Sequence, residues 1–343
     1  MRTRTLSALS TTTLAGLLLT GCVAGEGSAT ADAAPAEGEW SSDTLTVDFA
    51  TYNPLSLIIK DQGWLEATLG EDVTVEWVQS AGSNKANELL RSGSADVAST
   101  AGSAALLARA NGSPIHTIAL YDQPEWSAIV VGPDSDITSV EQLEGKSVAA
   151  TKGTDPYFFL LQTLEEHGVA LEDVQVQNLQ HADGGTALVN GDVDAWAGLD
   201  PIMADAELTS GAELIYRNVD FNTYGFLNAT EDFLDESPDL AQVVVDAYEK
   251  AREWAADNPD ETVEILADVA GIDEAVAEKV ITERTNLGID AAPGQAQLDV
   301  LEVVGPIFVE SGDVTSQDQI DEALDTLLDD TFATQADAST IDE

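Results

Sequence analysis

Four short stretches carry the residue types that could hold a small molecule. They are Thr51-Tyr52-Asn53-Pro54, Ser80-Ala81-Gly82-Ser83-Asn84, Ser99-Thr100-Ala101-Gly102-Ser103 and Lys152-Gly153-Thr154-Asp155. Each lies between an apolar run of strand character and a run of helical periodicity. A helix N-terminus leaves backbone N–H groups unpaired and carries a partial positive charge. It can therefore hold an oxyanion such as a sulfonate without an Arg. Small side chains would bare that backbone, and the hydroxyl and amide groups add donors. Each turn alone reads as a simple helix cap; the four together point to a polar pocket. Aromatic residues are only 6% of the chain, so their positions matter. Tyr52, Tyr157 and Trp196, near loops and strand ends, are candidate walls for an organic group.

Catalytic chemistry finds less support. His116 sits in an apolar run, His167 at a helix end before Gly168, and His181 at the start of a turn. No His-x-x-x-His or Cys cluster offers a metal site. There is no Gly-x-Ser-x-Gly elbow and no phosphate loop. With 63 Asp and Glu, close acid pairs are expected by chance. The expectation is a protein that is not an enzyme and uses no cofactor or metal. Thirteen Lys and Arg give a formal net charge of −50, which excludes binding to a nucleic-acid backbone. Such a surface keeps a chain soluble but repels itself at low salt, and it suggests a saline or alkaline medium.

The elements that must position these turns follow a repeated unit. Leu90-x-x-Gly93-x-x-Asp96 reads as a helix end, a Gly stop and the entry to a short apolar strand. Leu188-x-x-Gly191-x-x-Asp194 repeats the spacing, and Ala195-Trp196 follow it. One copy in each of two α/β lobes, with a ligand between, accounts for the pair. Further strands are expected at Leu45–Ala50, Val73–Val78, Ile115–Tyr121, Trp126–Val131, Ser147–Ala150 and Val174–Leu179. Asp183 is the expected cap of the helix that ends at Gly191. From Ser237 the pattern turns helical, with Leu240, Val243, Val244, Ala247, Tyr248, Ala251 and Trp254 on one face. Strands alternating with helices and then a helical block fit α/β lobes clad by late helices.

The first residues read as a targeting segment. Arg2 and Arg4 precede the apolar run Leu6–Thr20, which is too short to span a bilayer comfortably. Leu19-Thr20-Gly21-Cys22 resembles the lipobox of bacterial lipoproteins, which implies a signal peptide at 1–21 and a lipid (palmitate-type) anchor on Cys22. Cys22 is the only cysteine, so no disulfide can form within the chain. Residues 22–42 read as a flexible tether of roughly 25 Å r.m.s. span, and 331–343 as a loose polar tail.

The chain resembles the solute-binding proteins of ABC importers, in the branch that takes up aliphatic sulfonates, taurine and nitrate. The resemblance rests on Gly93-x-x-Asp96-Val97-Ala98-Ser99-Thr100, Val140-x-x-Leu143-x-Gly145-Lys146-x-Val148-Ala149, Lys152-Gly153-Thr154 and Gly191-Asp192-Val193-Asp194-Ala195-Trp196-x-x-x-Asp200-Pro201. It implies an α/β, two-lobe periplasmic-binding-protein-like fold of type II, with the ligand cleft between lobes. Residues 43–123 and 221–330 would form the first lobe and 124–220 the second, joined by crossings near Tyr121–Glu125 and Tyr216–Tyr224. Ser80, Gly82, Ser83, Asn84, Ser99, Thr100, Ala101 and Gly102 would line the first lobe's side, with Tyr52 and Asn53 beside them. Gly153, Thr154, Asp155, Tyr157, Trp196 and Asp200 would line the second's, and Tyr224 the crossing. The implied partners are a small-molecule ligand, an ABC permease and ATPase, and the membrane through the anchor. The implied protein is a monomer on the extracytoplasmic face that takes an organosulfur anion, or else a nitrogen heterocycle or nitrate. An enzyme like the related pyrimidine synthases is the further alternative. One departure stands out: sulfonate binders have a Ser-rich turn after the Lys-Gly pair, whereas Asp155-Pro156-Tyr157 follows here.

Overall fold

Two short strands, Val97–Ala101 and Ala195–Leu199, are buried at every residue. That is the signature of strands inside a sheet covered on both faces. Around them, a computed structural model of residues 40–343 shows two five-stranded sheets among the described residues. The expected signal segment 1–21, Cys22 and the tether up to residue 39 lie outside the described residues.

The first sheet takes β1 (Thr44–Phe49), β2 (Thr74–Gln79), β3 (Val97–Ala101) and β4 (Ile115–Asp122), linked by α1 (Pro54–Gln62), α2 (Trp64–Leu69), α3 (Ser83–Ser92) and α4 (Gly102–Ala110). The second takes β5 (Ser127–Val131), β6 (Ser147–Ala150), β7 (Gln175–Asn178), β8 (Ala195–Leu199) and β9 (Glu213–Tyr216), with α5 (Asp155–Glu166), α6 (His181–Asn190) and α7 (Ile202–Ser210). The chain then returns as β10 (Gly225–Thr230), followed by α8 (Glu231–Glu236), α9 (Pro238–Asp257), α10 (Pro259–Ala270), α11 (Glu274–Lys279), α12 (Gln295–Glu310) and α13 (Gln317–Thr326).

Strand order is β2-β1-β3-β10-β4 in one sheet and β7-β6-β8-β5-β9 in the other. In each, the fourth strand runs antiparallel to its neighbours and arrives from the other lobe. The chain thus crosses between lobes twice, at 123–126 and 217–224. This is the expected α/β two-lobe architecture.

The repeated spacing has a structural meaning in both lobes. Gly93 and Gly191 end α3 and α6 in the left-handed conformation, at φ of 66° and 75°, which a side chain would strain. Three residues on, Asp96 accepts from the Thr46 N–H of β1 at 2.8 Å, and Asp194 accepts from the Ser147 N–H of β6 at 2.8 Å. Each Asp therefore clasps its strand to the start of the neighbouring one.

Within the expected first-lobe segment 221–330, the late helices instead span the junction. Leu106 and Leu120 of the first lobe share one apolar cluster with Phe158 and Phe159 of α5 and with Leu301, Val304 and Phe308 of α12. A second cluster joins Leu57 of α1 to Ala204 of α7 through Leu266, Val276 and Val280. The chain ends also differ from expectation. Trp40 packs on the first-lobe core, and Ser41 donates its N–H to Asp239 at 3.0 Å. The expected loose tail at 331–343 is folded back instead. Phe332 and Ile341 pack on that same core, and Thr340 donates to Asp246 at 2.7 Å. Their apolar side chains gain more by burial than the short segment loses in freedom. No helix among the described residues is long and apolar enough to cross a membrane.

Candidate functional site

The C-terminal ends of the two sheets face each other, where the β-to-α turns gather. Asp48 organises the first-lobe side. It is fully buried at the end of β1 and accepts from Ser80 Oγ at 2.6 Å and from the Ser99 N–H at 2.8 Å. Burial pushes its carboxylate up to about 7, against the pull of those donors. The Tyr52 hydroxyl lies 2.9 Å from Ser80 Oγ and donates to the Ser99 carbonyl at 3.0 Å. Its ring meets Trp126 edge-on, with centroids 6.1 Å apart. Trp126 sits in the first crossing, so this contact brings the crossing against the first lobe.

Asp155 is the centre of the junction. It is the first residue of α5 in the second lobe and is 1% exposed. Ser103 Oγ of α4, in the first lobe, donates to its Oδ1 at 2.5 Å. Trp126 Nε1 of the first crossing donates to Oδ2 at 2.8 Å. Thr223 of the second crossing donates through its N–H at 2.9 Å and its Oγ1 at 2.8 Å. Four donors from one lobe and both crossings thus converge on a carboxylate from the other lobe. Burial raises its pKa, and these donors oppose the rise.

A second contact between lobes is ionic. Arg284 closes a single π-helical turn, Val280–Arg284, after α11. Its Nη1 donates to both carboxylate oxygens of Asp200, at 3.0 and 3.1 Å, and its Nη2 to Glu207. Burial pushes Asp200 up to about 6, with Arg284 pulling the other way. A residual cavity of about 10 Å³ lies here between Tyr52, Asp122, Trp126, Asp200 and Arg284. It is too small for a solute, so the lobes are closed on one another.

The third contact is His181 against Gly82. The helix expected to be capped by Asp183 is capped three residues earlier, by Gln180. That places His181 in the junction, 2% exposed. A Cβ on Gly82 would lie 2.9 Å from His181 Nε2 and 3.1 Å from Asn84 Oδ1, so only Gly allows this approach. Thr151 donates its hydroxyl to the Leu179 carbonyl at 2.7 Å and lies 3.2 Å from His181 Nδ1. The hydroxyl's one hydrogen is used, so Nδ1 carries the proton and Nε2 is an acceptor. Burial pushes the imidazole down to about 3, so it is neutral. Nε2 and Asn84 Oδ1 have no hydrogen-bond partner.

Several expected site residues are not at the junction. Trp196 is fully buried in the second-lobe core, over Gly184 and Gly185. Tyr157 is buried in the shared core against Phe158, with Lys152 over its ring at 5.3 Å. Asn53 caps α1 and donates to Tyr248 Oη at 2.9 Å. Thr100 accepts from Asn228 Nδ2 at 2.8 Å, within its own sheet. The N–H groups expected to be bare are also taken. That of Ala101 goes to Ser83 Oγ at 2.9 Å, that of Gly102 to the Tyr224 carbonyl at 2.9 Å, and that of Ser103 to Thr223 Oγ1 at 3.1 Å. The second crossing therefore covers the turn. Thr154 donates to the Thr151 carbonyl at 2.6 Å, and Gly153 faces Asn84. Sequence reasoning left out His181, Thr223 and Arg284, reached Ser103 only as the end of the Ser99–Ser103 turn, and did not place Trp126 among the lining residues. A hydroxyl or indole at a crossing is the one signal that could have marked Thr223 and Trp126. Arg284 has no local signal, since its partner is 84 positions away. His116 lies 3.4 Å from Glu231 on the edge of the first sheet, and His167 faces the Thr163 carbonyl at 2.9 Å, both away from the junction.

A family profile described as NMT1/THI5 like matches residues 57–262. A protein of Bacillus subtilis (strain 168) named a putative aliphatic sulfonates-binding protein is 27% identical over 235 residues, covering 67% of this chain and 70% of the relative. One of Escherichia coli (strain K12) with the same name is 26% identical over 248 residues, covering 72% and 77%. Among solved structures, the alkanesulfonate-binding protein SsuA from Xanthomonas axonopodis pv. citri, bound to MOPS, superposes with a TM-score of 0.74. It is 22% identical, and the match covers 82% of this chain and 98% of that one.

Proposed function

The chain belongs to the NMT1/THI5-like family, and from that premise we propose that it is the solute-binding component of an ABC importer. Two lobes that contact through hydroxyl, indole and backbone donors suit a receptor that grips a solute by hinge closure. The solute proposed is a small organosulfur anion, an aliphatic sulfonate or a relative of one. One observation carries this reading: Ser103, Trp126 and Thr223 converge on the two oxygens of Asp155, so the junction holds a donor set matched to an oxyanion. The names of the relatives support the same class. The lipobox-like run ending at Cys22 supports anchoring at the extracytoplasmic face, with delivery to a permease whose ATPase supplies the energy.

A second reading has its own observation. His181 Nε2 and Asn84 Oδ1 are unpaired acceptors side by side, which favours a solute with an N–H donor, such as a nitrogen heterocycle.

A thermal-shift panel of alkanesulfonates, sulfate esters, taurine, nitrate and pyrimidines separates the two. A ligand at 100 times its Kd adds about 2.7 kcal/mol. A sulfonate shift without a pyrimidine shift is the expected outcome, and the reverse moves the assignment to the heterocycle. Turnover of any member of the panel overturns the receptor reading in favour of an enzyme.

A further inference from the structure

Asp155 is a buried carboxylate at the junction held entirely by groups outside its own lobe. Its four donors come from α4 and from both crossings. Each crossing contributes through a residue next to its strand, Trp126 before β5 and Thr223 two residues before β10. A hinge motion that separates the lobes must turn these crossings. It therefore cannot proceed without breaking or stretching the Asp155 bonds. All the groups involved are buried: Ser103 is fully so, Thr223 is 2% exposed and Trp126 is 4% exposed. Donors left unpaired there would each carry a desolvation penalty, so the set demands an occupant with at least two acceptor oxygens.

We propose that Asp155 is an internal ligand of the receptor: its carboxylate fills the donor set of Ser103, Trp126 and Thr223, and thereby holds the lobes shut. Given the sulfonate reading above, on which this second part rests, a solute oxyanion competes with Asp155 for the same donors. The competition sets specificity as well as affinity. A solute must offer these donors a better acceptor than a carboxylate already placed there by the chain. It must also be held while Asp155 turns toward solvent at the first turn of α5, where a free carboxylate is favourable. A weakly accepting anion fails the first requirement, and an uncharged solute leaves Asp155 in place.

The closing part of the proposal is tested with no solute present. In the mature chain with Cys22→Ser, single cysteines introduced by Glu88→Cys on α3 and Val189→Cys on α6 take a label pair. Both sites are exposed, one in each lobe. With Asp155 intact, the interlobe distance is expected to show one short population. Asp155→Ala is expected to shift most molecules to a longer distance, and Trp126→Phe, which keeps the ring but removes the Nε1 donor, to shift part of them. Distance distributions in both variants identical to the parent overturn the proposal. Should Asp155→Ala fail to fold, Asp155→Asn and Trp126→Phe decide the same question. Titration with ethanesulfonate then tests the competition, with at least tenfold tighter binding expected in Asp155→Ala. Equal or weaker binding overturns that part. If neither protein binds any sulfonate, the sulfonate reading falls, and the distance measurement still decides whether Asp155 holds the lobes.

Discussion

Removing Arg284 tests the closed junction through its energetics. In Arg284→Met the stem is roughly kept and the guanidinium is lost. Both ends of the Arg284–Asp200 pair are almost fully buried, with side chains 2% and 4% exposed. Without Arg284, Asp200 keeps one donor, the Ala204 N–H at 3.0 Å. Breaking a buried pair on one side leaves an uncompensated charge and costs about 3–5 kcal/mol. Asp200 can escape that charge by taking a proton, which makes the cost depend on pH. A folded-state pKa raised above the ordinary 3.8 gives stability that is present in acid and lost as pH rises. In the wild type this loss stops near pH 6, because Asp200 ionises there beside Arg284. In Arg284→Met it continues beyond. At about 1.36 kcal/mol per pH unit, the interval from about 6 to 7.5 adds about 2 kcal/mol to the deficit at pH 7.5. At pH 5 that part vanishes, since Asp200 is protonated in both proteins. Urea unfolding at pH 5 and 7.5 measures this, with Asp200→Asn and the double variant completing the cycle. The expected deficit is about 3–5 kcal/mol at pH 7.5, smaller by about 2 kcal/mol at pH 5, and partly recovered in the double variant. A deficit under about 1 kcal/mol, or one that does not change with pH, refutes the reasoning.

Three further outcomes are expected. Trp196→Ala should cost about 3–5 kcal/mol of stability by calorimetry and leave solute affinity of the folded protein unchanged; weakened binding with full stability would put Trp196 back in the cleft. Asp48, raised to about 7 by burial, contributes stability below the ordinary 3.8 that is lost as pH rises through about 7. The melting temperature of Asp48→Asn should therefore gain on that of the wild type between pH 4 and 8, and parallel curves would contradict the burial argument. Asp96→Ala and Asp194→Ala, which remove the accepting oxygens, should each cost about 1–3 kcal/mol and speed hydrogen exchange at the Thr46 and Ser147 amides respectively. Unchanged exchange at those amides would remove the clasp.

Much of the scaffold was legible in the residues because it rests on local forces. Gly93 and Gly191 end their helices by a conformation that belongs to the residue type, and the Leu-x-x-Gly-x-x-Asp spacing marks the same joint in both lobes. The periodicity from Leu240 to Trp254 gave α9, which the structure places at Pro238–Asp257. Short runs of apolar residues located the strands, and the resemblance supplied the two lobes with their two crossings. Which of the four turns would bare its backbone was not legible, since the covering segment, 222–224, is over a hundred positions away from Gly102.

The sequence by itself determined where most of the helices and strands lie, and that two lobes carry the same joint. It also set the acidity, and the lone Cys22 that rules out a disulfide within the chain. Tertiary structure decided which polar groups meet: Asp155 with Ser103 and Thr223, Arg284 with Asp200, and His181 with Gly82. It also decided that Trp196 and Tyr157 are core residues rather than cleft walls. The physical reason is range. Caps, turns and periodicity act over a few residues and are written in neighbouring side chains. Burial, by contrast, assigns partners only when distant segments exclude water together, and one buried aromatic or carboxylate looks locally like another.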